Sequence, residues 1–65
     1  MIVKGIISAI IDNKVAVILP EYDNITTGYL PVYGGALGER RVNDFVLVVF
    51  FNNDFSDGIV LGGIA

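Results

Sequence analysis

The sequence contains neither cysteine nor histidine. Disulfide bridges are therefore excluded, and so are the common zinc sites, which use thiolate or imidazole ligands. The side chains that most often act as general base and nucleophile are missing for the same reason. The serines Ser8 and Ser56 have no base near them in the sequence. We therefore predict a protein that is not an enzyme and holds no cofactor and no metal.

Positive charge is also scarce, because Lys and Arg number 4 against 7 Asp and Glu, for a net charge of -3. A nucleic-acid backbone would on average be repelled, which makes nucleic acid an unlikely partner. Arg40 and Arg41, next to Glu39, form the one concentrated group of charges. We interpret the two arginines as a solvated loop tip or, alternatively, as a partner loop that contacts an acidic protein, for example in a small adaptor of a larger enzyme.

No apolar run is long enough to cross a membrane. The longest run spans Phe45–Phe51, far short of the roughly 18 to 20 residues that a bilayer requires. The apolar stretch Ile6–Ile11 lacks the basic flank and the cleavage site of a signal peptide. We expect a soluble protein that does not insert into membranes and is made without a signal peptide.

Apolar residues are abundant for such a short chain, at 54% hydrophobic and 17% charged over 65 residues. A chain of this length has room for one domain, spanning 1–65, and buries only about 60% of the surface that its unfolded form exposes. Without disulfides or metals, association with other chains is the remaining source of added stability. We therefore expect part of the apolar surface to contact another chain.

Five short runs are rich in β-branched and aromatic residues, and turn-forming residues separate them. Asp12-Asn13 predicts a two-residue hairpin turn, and the glycine-containing segment 32–44 predicts a long loop. These patterns favour an all-β domain in which a five-stranded antiparallel sheet curls into a small closed barrel. The predicted strands are Val3–Ile10, Lys14–Leu19, Thr27–Pro31, Phe45–Phe51 and Gly58–Leu61.

The segment Phe45–Phe51 contains no polar residue, although a strand with one wet face normally alternates apolar and polar residues. Both faces of this strand therefore require cover, and the first strand shows a milder excess. A loop that folds over the outer face is one solution, and a subunit interface is the other. The interface candidates are Phe45, Leu47, Val49 and Phe51 in this run, with Ile6 and Ile10 in the first strand.

Two further patterns have alternative interpretations. Asp54 and Asp57 lie in a polar segment that resembles a calcium loop, but its glycine falls one position late and no bidentate acidic residue follows. A turn held by bonds from side chains to the backbone is the better interpretation. A second set of residues could stack on single-stranded nucleic acid, although we read it chiefly as core or interface anchors. This set is Tyr22, Tyr29, Tyr33 and Phe55.

The order of several segments resembles the OB-fold domain of phage baseplate assembly protein V and of related tail-spike hub proteins of contractile injection systems. Thr27–Val32 is similar to a family segment with an aromatic residue followed by Leu-Pro, and Val42–Val48 to its Val-Gly-Asp/Glu-x-Val-Leu-Val. Gly58–Ile64, after Asn53-Asp54, is close to its Gly-Val-Val-Leu-Gly-Gly-Leu. Val3–Ser8 is similar to its opening Gly-x-Val strand. Asn43 stands where the family usually has glycine.

The resemblance implies a five-stranded OB-fold barrel with a structural role in a phage tail, baseplate or spike. It further implies a homotrimer that docks ring-shaped hub proteins, located in the virion tail or injection particle and assembled in the host cytoplasm. Family members typically continue into a membrane-piercing needle, whereas this sequence ends at Ala65, so piercing is not implied. A nucleic-acid-binding OB module is the alternative function.

Overall fold

A computed structural model describes residues 1–33, 41–52 and 54–64 of the chain. Their secondary structure consists of β-strands and one short 3-10 helix, Pro20–Tyr22, so the predicted all-β class is confirmed. The described strands are β1 (Ile2–Ile11), β2 (Lys14–Leu19), β3 (Ile25–Thr26), β4 (Leu30–Pro31), β5 (Phe45–Phe50) and β6 (Gly58–Gly63).

The strands form one antiparallel sheet in the order β3-β2-β1-β5-β6, and β4 also pairs with β2. The prediction of a closed barrel is wrong for the described residues, because no continuous ladder joins the two ends of this path. Val32, after β4, meets Val60 of β6 in a single isolated parallel bridge. Since β4 has two residues and Pro31 has no N–H, this side of the sheet offers few backbone groups for a ladder.

The β1–β2 hairpin has the two-residue turn that the sequence predicts, and Ile11 pairs with Lys14 across it. Asp12 has a φ of 53°, in the left-handed region that Asp and Asn tolerate better than most residues. Asn43 before β5 has a φ of 78°, a conformation that glycine also adopts readily. Short polar side chains thus allow both of these turns.

The predicted third strand, Thr27–Pro31, is wrong, because the structure has two short strands, β3 and β4, in this region. Ile18 of β2 pairs with Thr26, but Val15 pairs with Leu30, so three steps along β2 correspond to four along the partner segment. One extra residue is therefore accommodated between β3 and β4, as in a β-bulge. β3 lies before the predicted strand and β4 at its end, so the structure has six strands where the sequence predicts five.

Thr27 stabilises the bulge with its side chain. Its Oγ1 accepts a hydrogen bond from the N–H of Val17 at 3.1 Å and donates one to the carbonyl of Gly28 at 2.8 Å. The N–H of Thr27 donates to the carbonyl of Val17 at 2.8 Å. The threonine hydroxyl thus takes the place of a backbone carbonyl in the ladder beside β2.

Replacement of Thr27 by valine should lower the free energy of unfolding by about 1–3 kcal/mol, because the buried N–H of Val17 loses its acceptor. The shape of the side chain is nearly unchanged, so the effect isolates the hydroxyl. Thr26→Val is the matched control, since Thr26 is exposed in β3, and it should change stability by less than about 0.5 kcal/mol. Urea unfolding followed by circular dichroism measures both, and equal effects would contradict the role of the hydroxyl.

β1 changes partners along its length, pairing through Ile2–Ile6 with β5 and through Ile6–Ile11 with β2. Ser8 is the extra residue at a register shift in the β1–β2 ladder. Gly5 is buried where β1 crosses β2, and a Cβ on this glycine would lie 2.1 Å from Cγ1 of Val17. The close approach of the two strands therefore requires glycine at this position.

The core lies on one side of the sheet. Every second residue of β5 enters it, since Val46, Val48 and Phe50 are buried whereas Phe45, Leu47 and Val49 are not. Phe55, in the turn between β5 and β6, packs against the cluster from one end. The core consists of Val3, Ile7, Val15, Val17, Leu19, Leu30, Val32, Val46, Val48, Phe50 and Val60.

Candidate interaction surface

The side of the sheet opposite the core carries an apolar surface that extends over neighbouring strands. In the β1–β5 ladder Ile2 lies opposite Val49, and Ile6 lies opposite Phe45. β6 continues the surface with Ile59, which pairs with Val49 on the other side. We call this surface the outer face and define it as Ile2, Lys4, Ile6, Ile18, Phe45, Leu47, Val49 and Ile59.

The outer face is partly exposed to solvent, since Ile2 is 65% and Phe45 43% exposed. Its other apolar residues are half-buried: Ile6, Ile18, Leu47, Val49 and Ile59. Its position follows from strand periodicity, because successive side chains point to opposite sides of a strand and both sets are apolar in β5. Isolated exposed apolar residues are normal on proteins, but a contiguous apolar patch indicates an interaction site. The outer face is therefore our candidate interaction surface.

Lys4 is the one charged residue of the outer face. It lies opposite Leu47 in the ladder, and its Nζ is 4.6 Å from the centroid of the Phe45 ring, within the range of a cation–π interaction. A shallow pocket of about 180 Å³ adjoins it and is lined by Lys4, Pro20, Glu21 and Phe45. The apolar patch thus contains a single positive charge.

Four of the six interface candidates belong to the outer face, and two lie elsewhere. Ile6, Phe45, Leu47 and Val49 are on neighbouring strands of the face. Phe51 follows the end of β5 and is 47% exposed. Ile10 packs against the core, because it follows the register shift at Ser8 and pairs with the buried Val15. The register shift at Ser8 therefore places the side chain of Ile10 on the core side of the sheet.

The proposed partner loop is described only in part. Arg40 lies outside the described residues, so the structure gives no geometry for the arginine pair. Arg41 is exposed, its N–H donates to Oδ2 of Asp44 at 3.1 Å, and its carbonyl accepts from the N–H of Asp44 at 3.0 Å. The backbone of Arg41 thus forms part of the turn that leads into β5.

The four aromatic residues considered for stacking do not share one surface. Tyr22 and Phe55 meet edge to face at 5.0 Å, and Phe55 meets the core residue Phe50 at 5.1 Å. Tyr29 lies at the opposite end of β1, beside the hairpin turn. Phe55 is therefore a core residue, as one of the two sequence interpretations expects.

The hairpin end of the sheet has a cleft of about 400 Å³. Ile11 is 54% exposed and Tyr29 is 45% exposed, so both apolar side chains present contact area there. We call this region the hairpin cleft, and it is lined by Ile11, Asp12, Asn13, Lys14 and Tyr29.

The turn between β5 and β6 has the bonds from side chain to backbone that the sequence predicts. Oδ1 of Asp54 accepts hydrogen bonds from the N–H of Ser56 at 2.9 Å and from its hydroxyl at 2.7 Å. The hydroxyl and the N–H of Ser56 lower the pKa of the Asp54 carboxyl below its ordinary value. In the described part of the chain, no group of three or more acidic residues has the geometry to hold a metal ion.

The sequence alone did not single out Ile2, Lys4, Ile18 or Ile59 as surface residues. Their strands were predicted, but the pairing that places them beside Phe45, Leu47 and Val49 requires the order of strands in the sheet. Alternation around Gly5 was the available signal, since Lys4 and Ile6 flank a buried glycine and must both point outward.

No protein-family model, curated protein or solved structure matches this chain. None of the helices in the described ranges is long and apolar enough to cross a membrane.

Proposed function

We propose that this protein is a structural subunit that self-associates through its outer face, and that it performs no catalysis. The observation that carries the proposal is the contiguous apolar surface of β1, β5 and β6. A second copy is the occupant that the marginal size of the core favours, because association adds the burial that 65 residues lack. Covering about 400 Å² of apolar surface per chain would contribute on the order of 10 kcal/mol before the costs of association.

The assembly that we propose is a homotrimer in the baseplate or spike of a phage tail or a related injection particle. The support is the order of the sequence segments that resemble the OB-fold domain of baseplate assembly protein V. The antiparallel sheet in which β1 pairs with both β2 and β5 is compatible with such a domain. In that setting the subunit docks ring-shaped hub proteins, after assembly in the host cytoplasm.

Sedimentation at micromolar concentration tests the self-association. We expect a mass of three times the 7.0 kDa chain. Val49→Lys places a charge in the middle strand of the outer face and should give a folded monomer. Ile25→Lys is the matched control, because Ile25 is exposed in β3, outside the face, and this variant should remain associated. A monomeric wild-type protein would refute the proposal.

A nucleic-acid-binding module is the second candidate function, and the hairpin cleft is the observation in its favour. An exposed aromatic ring, Tyr29, and a cation, Lys14, line the same cleft, which suits stacking on a base beside a phosphate. Fluorescence anisotropy with single-stranded oligonucleotides at low salt tests it. Binding that weakens with salt and with Tyr29→Ala would support this function, and no binding would exclude it.

A further inference from the structure

We infer that the copies associate head to tail. The hairpin tip, which is the β1–β2 turn at Asp12-Asn13 with the residues beside it, docks on the outer face of the next copy, where Asp12 pairs with Lys4. The inference rests on the proposed self-association and names the second surface that takes part in it. This arrangement differs from the simpler one, in which the outer faces of two copies contact each other.

The charge on the outer face restricts what can cover this surface. Lys4 lies among apolar residues, and the face as defined contains no carboxylate. A partner that covers the face removes the ammonium group from water, which is unfavourable unless the partner brings a negative charge. Two outer faces placed together would bury two lysines, with Glu21 of the adjoining pocket as a carboxylate beside each. An occupant that presents its own carboxylate within an apolar surface would offset the charge of Lys4 directly.

The hairpin tip has this combination. Asp12 is exposed at the turn, next to Ile11 and beside the ring of Tyr29 in the hairpin cleft. The tip therefore combines the carboxylate of Asp12, beside the cation Lys14, with two large exposed apolar side chains, whereas the outer face combines one ammonium group with several apolar side chains.

Lys4 and Asp12 lie too far apart to pair within one chain. A β-strand rises about 3.3 Å per residue, so the eight steps along β1 separate the two by more than about 20 Å, and the whole fold is 27 Å long. The ion pair would therefore join different copies. A contact between two different surfaces repeats from copy to copy, and it gives a closed ring when the rotation closes.

Charge reversal tests the pairing. Lys4→Glu and Asp12→Lys should each shift the protein to monomer in sedimentation, and the double variant should restore the wild-type mass because the pair is re-formed with opposite sign. Since lysine is disfavoured at the left-handed φ of Asp12, Asp12→Asn is a second variant that keeps the turn. We expect it to weaken association at least about tenfold, and circular dichroism checks that each variant is folded.

Glu21→Lys is the matched control, because Glu21 lines the pocket beside Lys4 and the variant makes the same charge change as Asp12→Lys. It should leave the assembly intact. Dissociation by Glu21→Lys with rescue by Lys4→Glu would overturn the inference in favour of a pair between Lys4 and Glu21. Carbodiimide coupling of the wild-type protein should join Lys4 to Asp12 between chains, as identified by mass spectrometry.

The possible failures are distinguishable. A wild-type protein that sediments as a monomer refutes the self-association itself. A wild-type trimer that persists in Lys4→Glu and in Asp12→Lys overturns only the head-to-tail pairing. Single variants that dissociate while the double variant also stays monomeric would likewise overturn it, because the charges would then matter separately rather than as a pair.

Discussion

Gly5→Ala should destabilise the fold by about 1–3 kcal/mol, a large part of the roughly 3–10 kcal/mol expected for a domain of this length. The added methyl group would meet Cγ1 of Val17 at 2.1 Å and the carbonyl oxygen of Ile18 at 3.3 Å. Val17 is fully buried and β-branched, so it has little freedom to move away. Thermal or urea unfolding followed by circular dichroism measures the loss.

Two further variants test whether the stability loss of Gly5→Ala comes from the steric clash with Val17 or from the replacement of any glycine by alanine. Gly28→Ala should change stability by less than about 0.5 kcal/mol, because a Cβ on Gly28 has no neighbour within 4 Å. In Gly5→Ala/Val17→Ala the clashing methyl group is removed, so the double variant should be more stable than the sum of the two single effects by about 0.5–3 kcal/mol. Simple additivity would show that the contact with Val17 is not the cause.

Phe50→Ala should lower the free energy of unfolding by about 3–5 kcal/mol, enough to leave little folded protein unless association compensates. Phe50 is 1% exposed at the end of β5 and packs edge to face against Phe55. Its replacement leaves a cavity in a core too small to close around it. Urea unfolding over a series of protein concentrations measures both the monomer stability and any contribution from association.

Phe51 is a matched control for Phe50, because these neighbouring phenylalanines differ mainly in burial. Phe51 is 47% exposed in the turn after β5, and Phe51→Ala should cost less than about 1 kcal/mol of monomer stability. A loss for Phe51→Ala as large as that for Phe50→Ala would contradict the assignment of the two faces.

Local patterns were sufficient to predict much of the sheet. The β1–β2 hairpin is confirmed because Asp12-Asn13 is a turn signal between two apolar runs, and the start of β5 coincides with the start of the apolar run Phe45–Phe51. The β4 region was harder, because β3 lies before the predicted strand and β4 at its end, and the bulge between them is stabilised by a hydrogen bond from Val17 to the hydroxyl of Thr27. Such a hydrogen bond joins residues ten apart and has no signature in a local pattern.

The outer face shows the same division between local and long-range information. Phe45, Leu47 and Val49 could be placed on one side of β5 from the sequence, because alternate residues of a strand point to the same side. Ile10 illustrates the limit, because the register shift at Ser8 moves it to the core side. The importance of Lys4 depends on the pairing of β1 with β5, more than forty residues away, which sequence periodicity does not contain.

The strand order also determines when the protein can fold during synthesis. β1 and β2 are neighbours in the sequence and can pair locally, but the first half of β1 requires β5, since Ile2 lies opposite Val49. Until β5 is in place, the first half of β1 has an unpaired strand edge, and this edge can pair with other nascent chains. Pairing over long sequence separations is slow. The time during which β1 lacks its β5 partner therefore matters most at high expression, when many nascent chains are present. We expect the yield of folded protein to depend strongly on the rate of translation.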